Sequence, residues 1–221
     1  MAASMTTGLR EWTVLEAQSS DAVSTRERIK QEARRLFISH GIDAVTYGDI
    51  AEAVGTTRAN LHYHFGNKSA LVNEVFQETF QGVSAILGDI WTRPGITLDE
   101  RLRLTLEDSR RRHAEFNPTG KEHHPWSLTS RARFKNDTLS DEVLTGIQDM
   151  SRQFEHNVRD AVHNAITNGE LRADTPAGDV VLLITPLWYF GSPLTQFSGW
   201  RRLEEHYAAV RRTIRMAYGA D

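Results

Sequence analysis

An all-α fold is the expectation for this chain, and three observations carry it. Apolar residues recur at spacings of three and four along most of the length, as in Ile29, Ala33, Leu36 and Phe37. Hydroxyl and amide side chains that cap helix starts stand ahead of these runs: Ser24 or Thr25, Thr56 or Thr57, and Asn67. Glycines stand just behind them at 41, 55 and 169, where a helix can be closed by left-handed backbone.

Composition narrows the class without naming a partner. The chain has 221 residues, 39% hydrophobic and 25% charged, and no cysteine. Disulfides, thiolate zinc sites and cysteine nucleophiles are thereby excluded. No apolar run approaches the ~18 residues of a membrane span, and the start lacks a basic region followed by an apolar core. A soluble cytoplasmic protein is expected, with no membrane contact. The net charge is −3, and residues 21–80 hold seven Lys and Arg against eight Asp and Glu. Any contact with a polyanion must therefore come from local placement of positive groups and helix ends.

The elements follow in order. Residues 1–22 lack sustained periodicity and read as a flexible tail. A first helix runs from Thr25 to Ser39-His40 and stops at Gly41. A second, from about Thr46 to Val54, turns Ile50, Ala51 and Val54 inward and stops at Gly55. A third spans Arg58 to Phe65. Short helix, glycine turn, threonine cap, short helix fits a helix-turn-helix and an ordinary helical hairpin equally.

The third helix separates the two. At 100° per residue Leu61 and Phe65 lie about 40° apart and can face a core. Ala59 and Tyr63 take roughly the opposite side, flanked by Asn60 and His62, with Arg58 and His64 nearer the boundaries. A core helix would not expose Asn, Tyr and His. A helix entering a major groove would, because alanine permits close approach while amide and ring edges reach bases and phosphates. His64 sits to the side, near a phosphate or bracing the fold. Asn67 caps a long fourth helix to about Trp91, roughly 37 Å, and its free amides with Lys68 suit a phosphate.

The run RERIKQEARRLFISHGIDAVTYGDIAEAVGTTRANLHYHFGNKSALVNEV, residues 26–75, resembles the DNA-binding domain of the TetR family of bacterial transcriptional regulators. Gly41, the Ile50-Ala51 pair, Gly55, Leu61, Phe65, Lys68 and Leu71 carry the resemblance. It implies a three-helix helix-turn-helix domain over 23–83, with the motif at about 46–65, and a helical ligand-binding and dimerisation domain over 84–221. It further implies that Thr46 contacts a phosphate and that Thr57, Arg58, Ala59 and Asn60 form the groove-facing start of the recognition helix. His62 stands where the family usually has a phosphate-bonding tyrosine, Tyr63 takes the adjoining contact position, and Lys68 matches a phosphate-binding lysine. Ala59 replaces a common glycine.

In the second half, helices are expected over 98–117, 127–134 and 141–168, with a loop at 118–126. Phe76, Phe80, Trp91, Phe116, Trp126, Phe134, Met150 and Phe154 can converge between them, as plain core or, in a subset, as the lining of an inducer cavity of the kind the resemblance implies. Phe80, Trp91, Trp126, Phe134, Met150 and Phe154 are the candidate lining, with Arg110 and His113 as polar partners for a ligand carboxylate or hydroxyl. The segment 179–200 is apolar nearly all round, with Pro186 and Pro193 expected to bend or interrupt it. With a striped helix over 203–218 it reads as a four-helix homodimer interface.

The function expected is a regulator, most simply a repressor, released from a palindromic operator on double-stranded DNA by an unidentified small-molecule inducer. No catalytic residue, cofactor or metal ligand is assigned. The rival is a helical metal-binding protein or enzyme using the loop histidines His123 and His124, but the chain lacks HExxH spacing, a GxSxG elbow and a glycine-rich phosphate loop.

Overall fold

The computed structural model describes residues 24–134 and 139–220. The tail expected over 1–22 and the side chain of Phe134 lie outside the described residues. Those described form helices α1 (Thr25–His40), α2 (Tyr47–Val54), α3 (Arg58–Phe65), α4 (Lys68–Thr92), α5 (Leu98–Phe116), α6 (Leu128–Phe134), α7 (Asp141–Thr167), α8 (Ala177–Tyr189) and α9 (Gly191–Tyr218).

Caps set most of these boundaries. Ser24, Thr46, Thr57, Asn67, Thr97 and Ser140 each accept a hydrogen bond from a backbone amide in the first turn of the helix they precede. Gly55, with φ 73° and ψ 41°, closes α2 in the left-handed conformation and feeds α3 after two threonines.

The helix α4 joins the small unit α1–α3 to the rest and packs mainly along α7, where Phe80 lies against Gly146. A Cβ at position 146 would collide with the Phe80 ring. The far end of α4 is finished by the buried Arg101 of α5, whose guanidinium donates to the carbonyls of Ile90 and Arg93, 2.6 Å each. Glu170 returns the favour at the start of α5 by accepting from Leu98 N at 2.8 Å. These cross-ties make α4, α5 and α7 one packed body.

The last two helices depart from expectation. The apolar segment begins at Ala177, and Pro186 sits inside α8 without ending it. The break comes at Phe190, with a 78° bend between α8 and α9. Pro193 falls in the first turn of α9, where a missing amide hydrogen costs nothing. A second interruption lies at Gly199, φ 75° and ψ 171°, where two helical runs meet.

Burial sorts the residues of the expected dimer segment into two sides. Val180, Val181, Ile184, Leu187 and Trp188 are buried within the chain, as are Leu203, Tyr207, Val210 and Ile214, the stripe assigned from sequence to a partner. The helix α9 packs on both α8 and α5 of its own chain. What stays open is the other side: Leu182 is 72% exposed, Phe197 87% and Met216 82%. Among the described residues no single helix is long and apolar enough to cross a membrane.

Candidate nucleic-acid interface

The helix α3 carries its apolar residues on one side only. Leu61 is 0% exposed and Phe65 is buried, whereas Tyr63 is 85% exposed, and Thr57, Arg58, Ala59 and His62 are also exposed. Arg26 of α1 lies 4.7 Å over the Phe65 ring and pairs with Glu74 of α4, so the inner face is held from both sides. The outer face has no covering element among the described residues. A tyrosine left standing on solvent is the unusual observation, since its ring would gain by burial.

Each predicted contact residue has a definite local state. Thr57 accepts from Asn60 N at 3.2 Å, which leaves its hydroxyl proton free to donate. Thr46 differs: it closes a reciprocal capping box with Asp49, and its hydroxyl donates to that carboxylate at 2.9 Å. The Thr46 bonds, backbone first, hold the Asp49 carboxyl below its ordinary pKa. The half-buried Asn60 turns its amide to Thr56 Oγ1 at 2.9 Å. Arg58 folds back across the start of α2, where Gly48 makes room; a Cβ there would collide with the guanidinium.

His62 lies with Nδ1 2.6 Å from the Gly66 carbonyl and its ring edge-on to Tyr47, centroids 4.9 Å apart. A carbonyl only accepts, so Nδ1 carries a proton and donates. In the neutral ring Nε2 is then an acceptor, and donation to a phosphate from that atom requires the imidazolium. His64 is half-buried between Tyr63 and Phe65, centroids 5.3 and 6.1 Å away. Lys68 is half-buried at the first position of α4 beside the Asn67 cap.

The near-neutral charge of this unit resolves on inspection. Arg26, Lys30 and Arg35 of α1 pair with Glu74, with Glu27 and Glu78, and with Glu32. Arg58 and Lys68 form no ion pair among the described residues. The cations flanking α3 thus stay outside the ion pairs that occupy α1, although the Arg58 charge also acts on the Asp49 carboxylate.

The predicted ligand set is divided among several places. Trp91 and Phe154 pack edge to face in the core, 5.8 Å apart, with Trp91 Nε1 donating to Thr105 Oγ1 at 3.1 Å. Phe80 and Met150 border an open groove of about 690 Å³ between α4 and α7. Arg110 is exposed and paired with Glu204. His113 and Trp126 meet at α9, 6.2 Å apart. A larger cleft of about 940 Å³ separates α1 from α4 and α5, lined by Lys30, Arg34, His40, Glu78, Phe116 and His124. Among the described residues no group of three or more His, Asp or Glu is arranged to hold a metal ion.

Sequence reasoning passed over Arg131. This residue of α6 donates to the Ile38 carbonyl at 2.9 Å and lies against Gly41, where a Cβ would come within 3.1 Å of the guanidinium. It ties the end of α1 to the second half of the chain. The other end of α6 is tied to the α8–α9 corner: Trp126 donates from its backbone to Ser192 Oγ at 3.2 Å and from Nε1 to Thr195 Oγ1 at 2.8 Å. No local signal marks these partners, which lie 66 to 93 residues apart in the chain.

Comparison with known proteins agrees with this geometry. Residues 29–75 match the family described as bacterial regulatory proteins, tetR family. The transcriptional regulator AcrR of Shigella flexneri is 39% identical over 57 residues, 26% of each chain. The chain therefore spans about a quarter of the length of such relatives. The transcriptional repressor AcnR of Corynebacterium glutamicum is 25% identical over 201 residues, covering 90% of this chain and 97% of its own. Among solved structures, a TetR regulator from Chloroflexus aurantiacus superposes with a TM-score of 0.72 at 19% identity, covering 94% of this chain and all of its own. NemR of E. coli in its reduced form gives 0.69 at 14%, covering 85% and 95%. At these identities the structures speak for the fold alone.

Proposed function

We propose that this chain, whose residues 29–75 match the tetR family of bacterial regulatory proteins, is a ligand-responsive, DNA-binding transcriptional repressor of that family. The observation that carries the reading is the two-sided α3: leucine and phenylalanine sealed inward, Tyr63 and Ala59 open to solvent. Thr57, Ala59 and Tyr63 face the major groove, Arg58 reaches it by swinging away from Gly48, and Lys68 at the start of α4 holds a phosphate. His62 reaches a phosphate through Nε2 in its charged form, and Thr46 serves first as the α2 cap.

The assembly is a homodimer in the cytoplasm. Leu182, Phe197 and Met216 are apolar side chains that one chain leaves in water, and a second copy covers them by a symmetric contact. Two α3 helices then meet one face of a palindromic site about one helical turn, or a multiple, apart. Coupling runs through α6, which grips the α8–α9 corner at Trp126 and the end of α1 at Arg131. A ligand that favours a shifted α6 moves α1 and spoils the spacing of the two α3 helices; a 100-fold drop in DNA affinity needs about 2.7 kcal/mol of such preference.

Fluorescence anisotropy of the whole protein on DNA flanking its own gene, at two salt concentrations, tests the reading. Saturable, sequence-specific, salt-dependent binding supports it. Binding that is equal on all sequences, or absent at low salt, overturns it. Zinc-dependent chemistry without DNA binding would favour the histidine-based alternative.

A further inference from the structure

Two neighbouring rings on the seam between α5 and α9 each carry a buried polar atom without a hydrogen-bond partner: Nε2 of His113 and Nε1 of Trp200. Ion pairs set the register of this seam. Asp99 pairs with Arg211, and Arg110 with Glu204, so the helices run antiparallel and His113 falls opposite Trp200. The two rings lie 4.9 Å apart, tilted by 47°, and His113 also meets the Trp126 ring edge-on. His113 is 5% exposed. Burial lowers its pKa, so the ring is neutral and offers one donor and one acceptor.

A buried polar atom left unpaired keeps the full cost of its lost hydration. The neighbouring indole shows that this corner can satisfy such a group, since Trp126 Nε1 finds Thr195. Two unmet atoms between aromatic walls have the character of a recognition site rather than of packing. The location also has a means of opening. Trp200 is only half-buried and directly follows Gly199, where two helical runs meet. The loop 118–125 lies over that break, with His123 Nδ1 3.0 Å from the Gln196 carbonyl. A swing of the indole and this loop admits a ligand without unwinding a helix.

We infer that the His113–Trp200 seam is a binding site for a small flat molecule bearing a hydroxyl on an aromatic ring, that is, a phenol. The indole N–H can only donate, so the ligand atom must accept from Trp200. The imidazole Nε2 donates or accepts according to tautomer, and a hydroxyl answers either state, whereas an ether or ketone answers one. His113 fills the space between Trp126 and Trp200, so the ligand's ring packs on the Trp200 indole, over which Arg110 stands at 5.5 Å. This deepens the regulator reading by naming the ligand class, and rests on that reading only for the consequence at DNA: the site adjoins Trp126, which anchors α6.

Titration of the whole protein with phenol, and with toluene and anisole as controls, tests the site by calorimetry and tryptophan fluorescence in the absence of DNA. One saturable site per chain is expected, with phenol at least about tenfold tighter than either control, a difference of about 1.4 kcal/mol. His113→Phe and Trp200→Phe should each bring phenol to the level of toluene while the far-UV circular dichroism stays unchanged. Should His113→Phe not fold, Trp200→Phe decides alone, because it keeps a ring in place. Equal affinity for phenol and toluene, no saturation by about 10 mM, or unaltered phenol binding in Trp200→Phe would overturn the site and leave water as the partner of both atoms. Since no DNA is present, failure here leaves the regulator reading standing, and failure to bind DNA leaves this site standing.

Discussion

The unit α1–α3 and the body built from α5, α8 and α9 solve different problems. In the first, the helix caps and turns are answered within a few residues, Thr46 with Asp49, Thr57 with Asn60, His62 with Gly66, while Arg26 and Lys30 reach out to Glu74 and Glu78 and the Tyr47 hydroxyl has no partner. In the second, partners are far apart in the chain, as with Trp126 and Thr195, and two aromatic nitrogens are answered by nothing. The contrast follows from what each region is proposed to meet. A duplex has one repeating geometry, so a short, locally capped scaffold suffices to present a face to it. A small molecule has no fixed form, and its site is assembled wherever distant helices cross.

The largest effect should come from attacking the first region at its base. Leu61→Ala removes a fully buried side chain and should cost about 2–5 kcal/mol; thermal unfolding should show it, and DNA binding should fail with the fold. If the loss is small, the inward face of α3 is not what holds it. Next comes the exposed apolar side of the last two helices. Leu182→Glu and Phe197→Glu together should convert a dimer into a monomer in multi-angle light scattering, each costing about 2 kcal/mol or more of association. A dimer that survives both places its interface elsewhere.

The link between the regions is open to a smaller, more specific cut. Arg131→Met removes the tie to Ile38 O and should leave DNA affinity within about threefold while weakening the effect of ligand by about 0.5–2 kcal/mol, read as the shift in anisotropy midpoint on adding phenol. Smaller still is a pH effect in the second region. The folded-state pKa of His113 lies below its ordinary value of 6.5 because burial penalises the charged ring. The unfolded chain therefore takes up that proton first as pH falls. Its contribution to stability is complete above pH 6.5 and declines below it, so denaturant midpoints should drop toward acid pH less in His113→Phe than in the parent.

How much of this was legible beforehand divides along the same line. The boundaries of α1 to α4 follow from caps and glycines within five residues of each helix end, and the two faces of α3 follow from a 100° rotation. The arrangement at α8 and α9 did not. Pro186 and Pro193 were expected to bend or interrupt the segment; the 78° bend does fall between them, but at Phe190, with Pro186 carried inside a helix and a second break at Gly199. The stripe from Leu203 to Ile214 has the right period for an interface, but periodicity cannot say whose apolar surface it meets, and here it is buried within its own chain. Arg131 and Trp200 carried no local signal, because their partners lie 93 and 87 residues away.

The outward face of α3 is the claim on which the rest stands. Equilibrium anisotropy of a duplex bound by the parent, repeated with Tyr63→Ala and Lys68→Ala across a salt series, measures it most directly. The account predicts at least a tenfold loss with Tyr63→Ala and, for Lys68→Ala, a salt slope shallower by about one, with both melting temperatures unchanged. Parent-like affinity and slope in both variants would contradict it.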